Sequence, residues 1–221
     1  MGPHFATGIV ATIVIGLFLD AQGGLWVQPV VNVVACAMFA GLLAASERHD
    51  RIAYLLCLML ATAGEVFLAL VWGVYDYRLG NLPLFVPPGH VLLYALGRWT
   101  ADRIPFTASG LACIVVLALA AILASWGIDQ LSAPLAILFV LCMRFGPAPR
   151  LYAVMFVLAL AMELLGTGLG NWTWREQVPW FGWSTLNPPF AAGAFYCALD
   201  LLVGGLMQRK RAGAGFPARV L

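Results

Sequence analysis

At 221 residues with 62% hydrophobic and only 10% charged side chains, the chain has too little polar surface to cover a soluble globule, where about a quarter of residues carry charge. A formal net charge of +2, with ten of the twelve basic residues sorted into alternate loops, provides no basic face for nucleic acid. The composition is that of a polytopic, all-α membrane protein whose first partner is the bilayer.

Eight apolar stretches follow in order: Phe5–Leu19, Val27–Ala45, Ile52–Val74, Leu82–Leu96, Phe106–Trp126, Leu131–Met143, Leu151–Leu169 and Asn187–Met207. The first is read as a retained helix, because it lacks the charged leader and small-residue cleavage site of a removable signal. Several fall short of the ~20 residues a spanning helix usually needs, so tilt or local thinning is expected to make up the difference. Pro87-Pro88-Gly89 reads as a break near the outer end of the fourth stretch. Arg48 and Arg51, Arg98 and Arg103, Arg144 and Arg150, and the tail residues Arg209, Lys210, Arg211 and Arg219 fall in alternate loops. Only Arg78 and Arg175 fall on the other side. The positive-inside rule then places both termini in the cytoplasm of a bacterial inner membrane and the aromatic loops outside. A seven-span arrangement is the alternative, and it would split the basic loops between the two sides.

Two loops resemble one another. Glu65 is followed by Trp72-Gly73-Val74-Tyr75-Asp76-Tyr77, Pro83, Pro87-Pro88 and Tyr94; Glu163 is followed by Leu169-Gly170-Asn171-Trp172-Thr173-Trp174, Pro179, Pro188-Pro189 and Tyr196. The order of features recurs after about 100 residues, which suggests duplication. The expected architecture is one transmembrane domain of two parallel four-helix repeats, roughly 1–104 and 105–211, with a cytoplasmic tail at 212–221 and one cavity between the halves.

Three acids lie inside apolar stretches: Glu65, Glu163 and Asp200. An acid at mid-membrane costs about 2.5 kcal/mol or more, so each is expected to face protein or water and is a candidate catalytic residue. Helix rise puts the glutamates at roughly 18–20 Å and Asp200 at roughly 12 Å from the cytoplasmic ends, compatible with a shared chamber. Burial disfavours the ionised carboxyl and keeps a proton available for general-acid attack on an alkene or epoxide. Aromatic faces attract the resulting cation. Trp72, Tyr75, Tyr77, His90, Tyr94, Asn171, Trp172, Trp174 and Tyr196 are therefore the candidate substrate-binding residues. Trp26, Trp99 and Trp126 read instead as an interfacial belt.

Gln28 and Asn32 share a helix face that meets either a substrate or a neighbouring helix, and Gly166 and Gly170 form a G-x-x-x-G pair suited to helix packing. The five cysteines sit in apolar runs without metal-type spacing. Phosphate-loop, nucleophile-elbow and zinc-helix motifs have no match, so phosphotransfer, serine hydrolysis and zinc chemistry find no support; no metal and no cofactor are expected.

The segment Glu163-Leu164-Leu165-Gly166-Thr167-Gly168 with Gly170-Asn171-Trp172-Thr173-Trp174 resembles the E-x-x-G-x-x-T-G…G-x-Y-x-Y signature of membrane carotenoid hydratases. Glu65 in Gly64-Glu65-Val66-Phe67 and Asp200 in Phe195-Tyr196-Cys197-Ala198-Leu199-Asp200 resemble the two acids of fungal membrane-bound meroterpenoid cyclases. Gly64 stands where the cyclase pattern has Trp, and the glycine-threonine spacing after Glu163 is compressed relative to the hydratases. The resemblance implies a small helical enzyme that protonates an isoprenoid lipid and needs no metal. Glu163 and Asp200 are the expected acid and counter-base, with Glu65 as third participant. A proton-coupled transporter or lipid-binding protein is the competing expectation, since broken helices and mid-membrane acids also describe carriers. A structural subunit whose acids only hold helices together is the third.

Overall fold

The computed structural model describes residues 1–104 and 109–213. Phe106 at the expected start of the fifth stretch, and the tail from 214 with Arg219, lie outside the described residues. Eight α-helices form: α1 (Pro3–Gln22), α2 (Gln28–Ala44), α3 (Arg48–Glu65), α4 (Val86–Ala101), α5 (Ser109–Ser125), α6 (Ser132–Phe145), α7 (Pro149–Leu169) and α8 (Gly193–Gly213). Among the described residues, three helices are long and apolar enough to cross a membrane: Pro3–Gln22, Arg48–Trp72 and Pro149–Leu169.

The apolar stretches become helices because they are rich in Leu, Ala and Met, which lose little rotamer freedom on coiling. Proline stands in the first turn of α1, α2, α4 and α7, where its missing N–H has no helical acceptor to lose. For this reason Pro87-Pro88-Gly89 starts α4 instead of interrupting it. The segment before it lies outside the helix. Likewise Pro188-Pro189 precedes α8, which begins only at Gly193.

The helix leading from Arg48 changes winding after Glu65, continuing as a π-helical segment over Val66–Trp72. Gly73 lies eight positions after Glu65, whereas Gly170 lies seven after Glu163. Both glycines end their helices in the left-handed region, with φ of 70° and 79°. The wider π turn takes up the extra residue, so both helices reach their glycine caps with a glutamate facing inward.

After each cap the chain forms a three-residue strand, β1 (Tyr75–Tyr77) and β2 (Trp172–Trp174). They pair antiparallel, Tyr75 opposite Trp174, Asp76 opposite Thr173 and Tyr77 opposite Trp172. Alternation along the strands turns the four aromatic residues to one face and leaves Asp76 and Thr173 exposed on the other. Arg175 closes that outer face, its Nε and Nη2 donating to Asp76 at 3.1 and 3.0 Å.

At the centre, α3 packs on α4, α4 on α7, α7 on α8 and α8 on α3. The pair α1–α2 packs beside α4, and the pair α5–α6 beside α7 and α8. The strands cap the end at which α7 finishes and α4 and α8 begin. Trp26 and Trp126 are exposed, and Trp99 lies under the guanidinium of Arg103 at 4.1 Å.

Close approach of α7 and α8 depends on Gly193, where an added Cβ would strike the backbone of Phe156. Gly204, further along α8, faces open space. Gly193→Ala is expected to lower stability by about 1–3 kcal/mol, whereas Gly204→Ala leaves it unchanged or slightly raised. Thermal unfolding in detergent micelles checks the pair.

Candidate functional site

The aromatic face of the β1–β2 ribbon lies over the two glutamates and supplies their hydrogen bonds. Glu65 Oε2 accepts from the hydroxyls of Tyr75 at 2.7 Å and Tyr77 at 2.5 Å. Glu163 Oε2 accepts from the indole Nε1 of Trp172 at 2.9 Å and of Trp174 at 3.1 Å. Each carboxyl thus takes two bonds on one oxygen from its own following strand. The second oxygen of each is met from the next central helix: His90 Nε2 on α4 lies 2.7 Å from Glu65 Oε1, and Tyr196 on α8 donates to Glu163 Oε1 at 3.1 Å. The His90 and Tyr196 rings stack, centroids 4.7 Å apart and planes 19° from parallel. Both glutamates are only 6% exposed.

The donor sets differ in a way that matters chemically. Histidine carries a proton it can surrender or a positive charge, and tyrosine has an exchangeable hydroxyl, whereas an indole N–H only donates. Glu65 has a potential counter-charge within 2.7 Å, while the donors to Glu163 carry no charge. Two adjacent buried carboxyls resist joint ionisation. Of the two, only Glu65 is met by a side chain that can itself carry charge.

Glu65, Tyr75, His90, Glu163 and Tyr196 form a septum between two cavities. The smaller, about 70 Å³, is bounded by α1, α2 and α4 and reaches Tyr77 and Trp172. The larger, about 460 Å³, lies between α3 and α8 and reaches Trp72 and Trp174. Apart from the septum its walls are apolar, and Phe67 and Leu202 on its rim are exposed. Trp72 is held there by a 2.9 Å bond from its Nε1 to the Pro179 carbonyl and by stacking on Trp180 at 5.8 Å.

Nine of the twelve candidate residues therefore gather at one place, and three do not. Asp200 lines neither cavity; it lies one helical turn beyond Tyr196, toward the basic tail. Tyr94 lines neither and packs edge-on against Tyr54 at 6.1 Å. Asn171 ties β2 to α1, its Nδ2 donating to the Leu17 carbonyl at 3.0 Å and to Asp20 Oδ2 at 2.9 Å.

Gln28 and Asn32 are also absorbed by structure. Gln28 joins Asp20 at 3.4 Å and accepts from Asn81 at 2.8 Å, while Asn32 accepts from the Phe85 backbone N–H at 2.8 Å. Arg78 bonds the Asp20 backbone and lies 3.8 Å from its carboxylate. Gly166 and Gly170 do not mediate helix packing: a Cβ at Gly166 would overlap the Trp172 ring, and Gly170 is the helix cap. Gly166 makes the hollow that lets the indole reach Glu163.

Two buried acids escaped sequence reading because each closes an apolar run and looks like a boundary. Asp20 organises the network just described. Asp129 accepts from the Ser132 backbone at 3.1 Å and the Phe190 backbone at 2.8 Å, fixing the approach to α8.

Comparison of the chain with protein-family models, curated proteins and solved structures finds no match. The site is therefore read from its own chemistry. Trp172→Phe and Tyr77→Phe each remove one donor from a buried carboxyl and are expected to cost about 1–3 kcal/mol. Unfolding midpoints equal to the parent in both variants would contradict the hydrogen-bonded arrangement.

Proposed function

We propose that the chain is an integral membrane enzyme that starts cyclisation or hydration of an olefinic or epoxide isoprenoid lipid by protonating it. The observation that carries this reading is the septum: two buried carboxyls with inequivalent donor sets, facing apolar cavities. A cavity of about 460 Å³ falls within the ordinary range for ligand sites and suits a segment of an isoprenoid chain. Its exposed apolar rim suits entry from the bilayer.

In this mechanism Glu163 is the general acid. Its Oε2 is anchored by two indole donors, and Oε1, met by the Tyr196 hydroxyl, is the oxygen that presents the proton. Protonation of the substrate double bond or epoxide oxygen leaves Glu163 as a carboxylate beside the new cation. The faces of Trp72, Tyr75 and Trp174 stabilise that cation, on the order of 2 kcal/mol per desolvated ring. An internal alkene or a water molecule then closes the cation. The proton released in that step passes to Glu65, which His90 holds in place, and its return to Glu163 across the septum closes the cycle with no net proton uptake. Glu65 thereby takes the counter-base role that the sequence suggested for Asp200.

The membrane setting draws support from the three long apolar helices and from the alternate distribution of basic residues. With both termini cytoplasmic, all eight helices would cross and the strands would face outward. Duplication of a four-helix unit draws support from the packing. The pairs α1–α2, α2–α4, α3–α4 and α3–α8 have counterparts in α5–α6, α6–α8, α7–α8 and α7–α4. The β1–β2 pair has a local dyad through Asp76 and Thr173 that carries Tyr75 to Trp172 and Tyr77 to Trp174, the same correspondence as the loop alignment.

Glu163→Gln keeps an oxygen for the two indole donors but removes the acidic proton, so turnover is expected to fall by roughly 10²–10⁴-fold with the fold retained. Mass spectrometry of lipid extracts from cells carrying the parent chain, the variant or neither provides the test. A lipid that accumulates in the latter two, with loss of an isomer or of a product one water heavier, supports the reading and separates cyclisation from hydration. Identical extracts reject it, and proton-coupled uptake of an unaltered lipid into proteoliposomes would replace it with transport.

A further inference from the structure

Beyond the septum, toward the ends of α4 and α8, polar side chains line up through an otherwise apolar interior. His90, Tyr94 and Arg98 stand one turn apart on a single face of α4, and Tyr196 and Asp200 do the same on α8. Both helices start near the strands and run the same way. The stacking of His90 on Tyr196 sets the two ladders level, which brings Tyr94 to the height of Asp200. Arg98 then lies over the rings of Tyr94 and Tyr54, at 5.7 and 5.8 Å, and donates to Asp50 at 3.0 Å. The side chains of Arg98 and Asp50 are 31% and 35% exposed, so the column reaches the surface.

Asp200 occupies the middle of this column. It is 2% exposed, and neither carboxyl oxygen has a hydrogen-bond partner. The groups within electrostatic range are Tyr94 on α4, Cys57 on α3, Cys142 on α6, Tyr152 on α7 and Cys197 on its own helix. Among the described residues no basic side chain pairs with it. A carboxyl so placed is stable in its neutral form and holds one transferable proton. As a purely structural residue it would be a poor choice, because it bonds nothing and gives up the packing an apolar side chain would provide.

We propose that Asp200 is the relay of a proton path from the Asp50–Arg98 surface to Glu163. A proton entering past Arg98 and Tyr94 loads Asp200. Asp200 hands its proton, through water, to the Tyr196 hydroxyl oxygen. Tyr196 passes its own hydroxyl proton to Glu163 Oε1, 3.1 Å away. One proton enters and one arrives, and every intermediate group returns to its starting form. The path keeps the acid's proton in exchange with the surface, so Glu163 is recharged whenever its proton is lost. It rests on the reading of Glu163 as a proton-exchanging group, and is independent of which lipid that group protonates.

The indoles of Trp172 and Trp174 donate to Glu163, so their fluorescence reports its charge. The test is a stopped-flow pH jump on the full chain in detergent micelles, with the Glu163 signal taken as the difference from Glu163→Gln. Asp200→Asn and Tyr94→Phe are expected to slow that signal on the order of ten-fold or more while leaving its amplitude intact. If Asp200→Asn does not fold, Tyr94→Phe decides the matter. Unchanged rates in the folded variants, or no Glu163-dependent signal in the parent chain, overturn the relay. Slowed kinetics together with unaltered lipid extracts would leave the relay standing and remove only the isoprenoid reading.

Discussion

A carboxyl group buried in an apolar interior must have its oxygens met by donors or keep its proton, and the rest of this structure follows from how Glu65 and Glu163 satisfy that demand. Both lie near the ends of long apolar helices, where no neighbouring side chain on the same helix supplies a donor. The donors come from the strand that follows each helix, and they reach back because a left-handed glycine, Gly73 or Gly170, reverses the chain just past the helix end. Neither strand is long enough to stand alone. Paired, they become one ribbon whose inner face carries the four ring donors and whose outer face is closed by the Asp76–Arg175 ion pair. Pairing the strands therefore also brings the two acids to one place.

That shared scaffold carries two different chemistries. Hydroxyl donors and an imidazole surround Glu65, a set that can hold an ion pair; indoles and a single hydroxyl surround Glu163, a set with no charge to offer. Two matching frames with different ring residues place two carboxyls at one septum with different donors, since like frames set like positions and the ring residues set the donors. The π turn after Glu65 shows the cost of keeping the two frames in step, because the extra residue had to be absorbed without turning the glutamate away from the septum.

The ladders on α4 and α8 extend the same logic along the helix axis. Residues four apart repeat on one face, so a polar position at the septum is followed by another one turn on, and two helices running the same way offer matched rungs. Tyr94 and Asp200, which the site itself does not use, occupy such rungs.

Composition and run length pointed to apolar helices, because unbroken runs of Leu, Ala and Val well beyond ten residues lack the two-residue alternation of a strand and satisfy their backbone within themselves by coiling. Most helix boundaries were legible to within about five residues, but the Pro-Pro pairs misled: Pro87-Pro88 opens α4 instead of breaking it, and Pro188-Pro189 precedes an α8 that starts only at Gly193. The recurrence of Trp-Gly-x-Tyr-x-Tyr as Leu-Gly-x-Trp-x-Trp picked out Trp72, Tyr75, Tyr77, Trp172 and Trp174, and the acids within apolar stretches picked out Glu65 and Glu163, all of which gather at or beside the septum. Which face each helix turns inward was not legible, since α1, α2, α5 and α7 are apolar on nearly every side and no stripe of polarity records their rotation. Only the tertiary structure decided that Asp200 lines neither cavity, that Gly166 seats an indole, and that His90 belongs to Glu65. Those facts depend on helix rotation and strand register, which contacts between distant parts of the chain set.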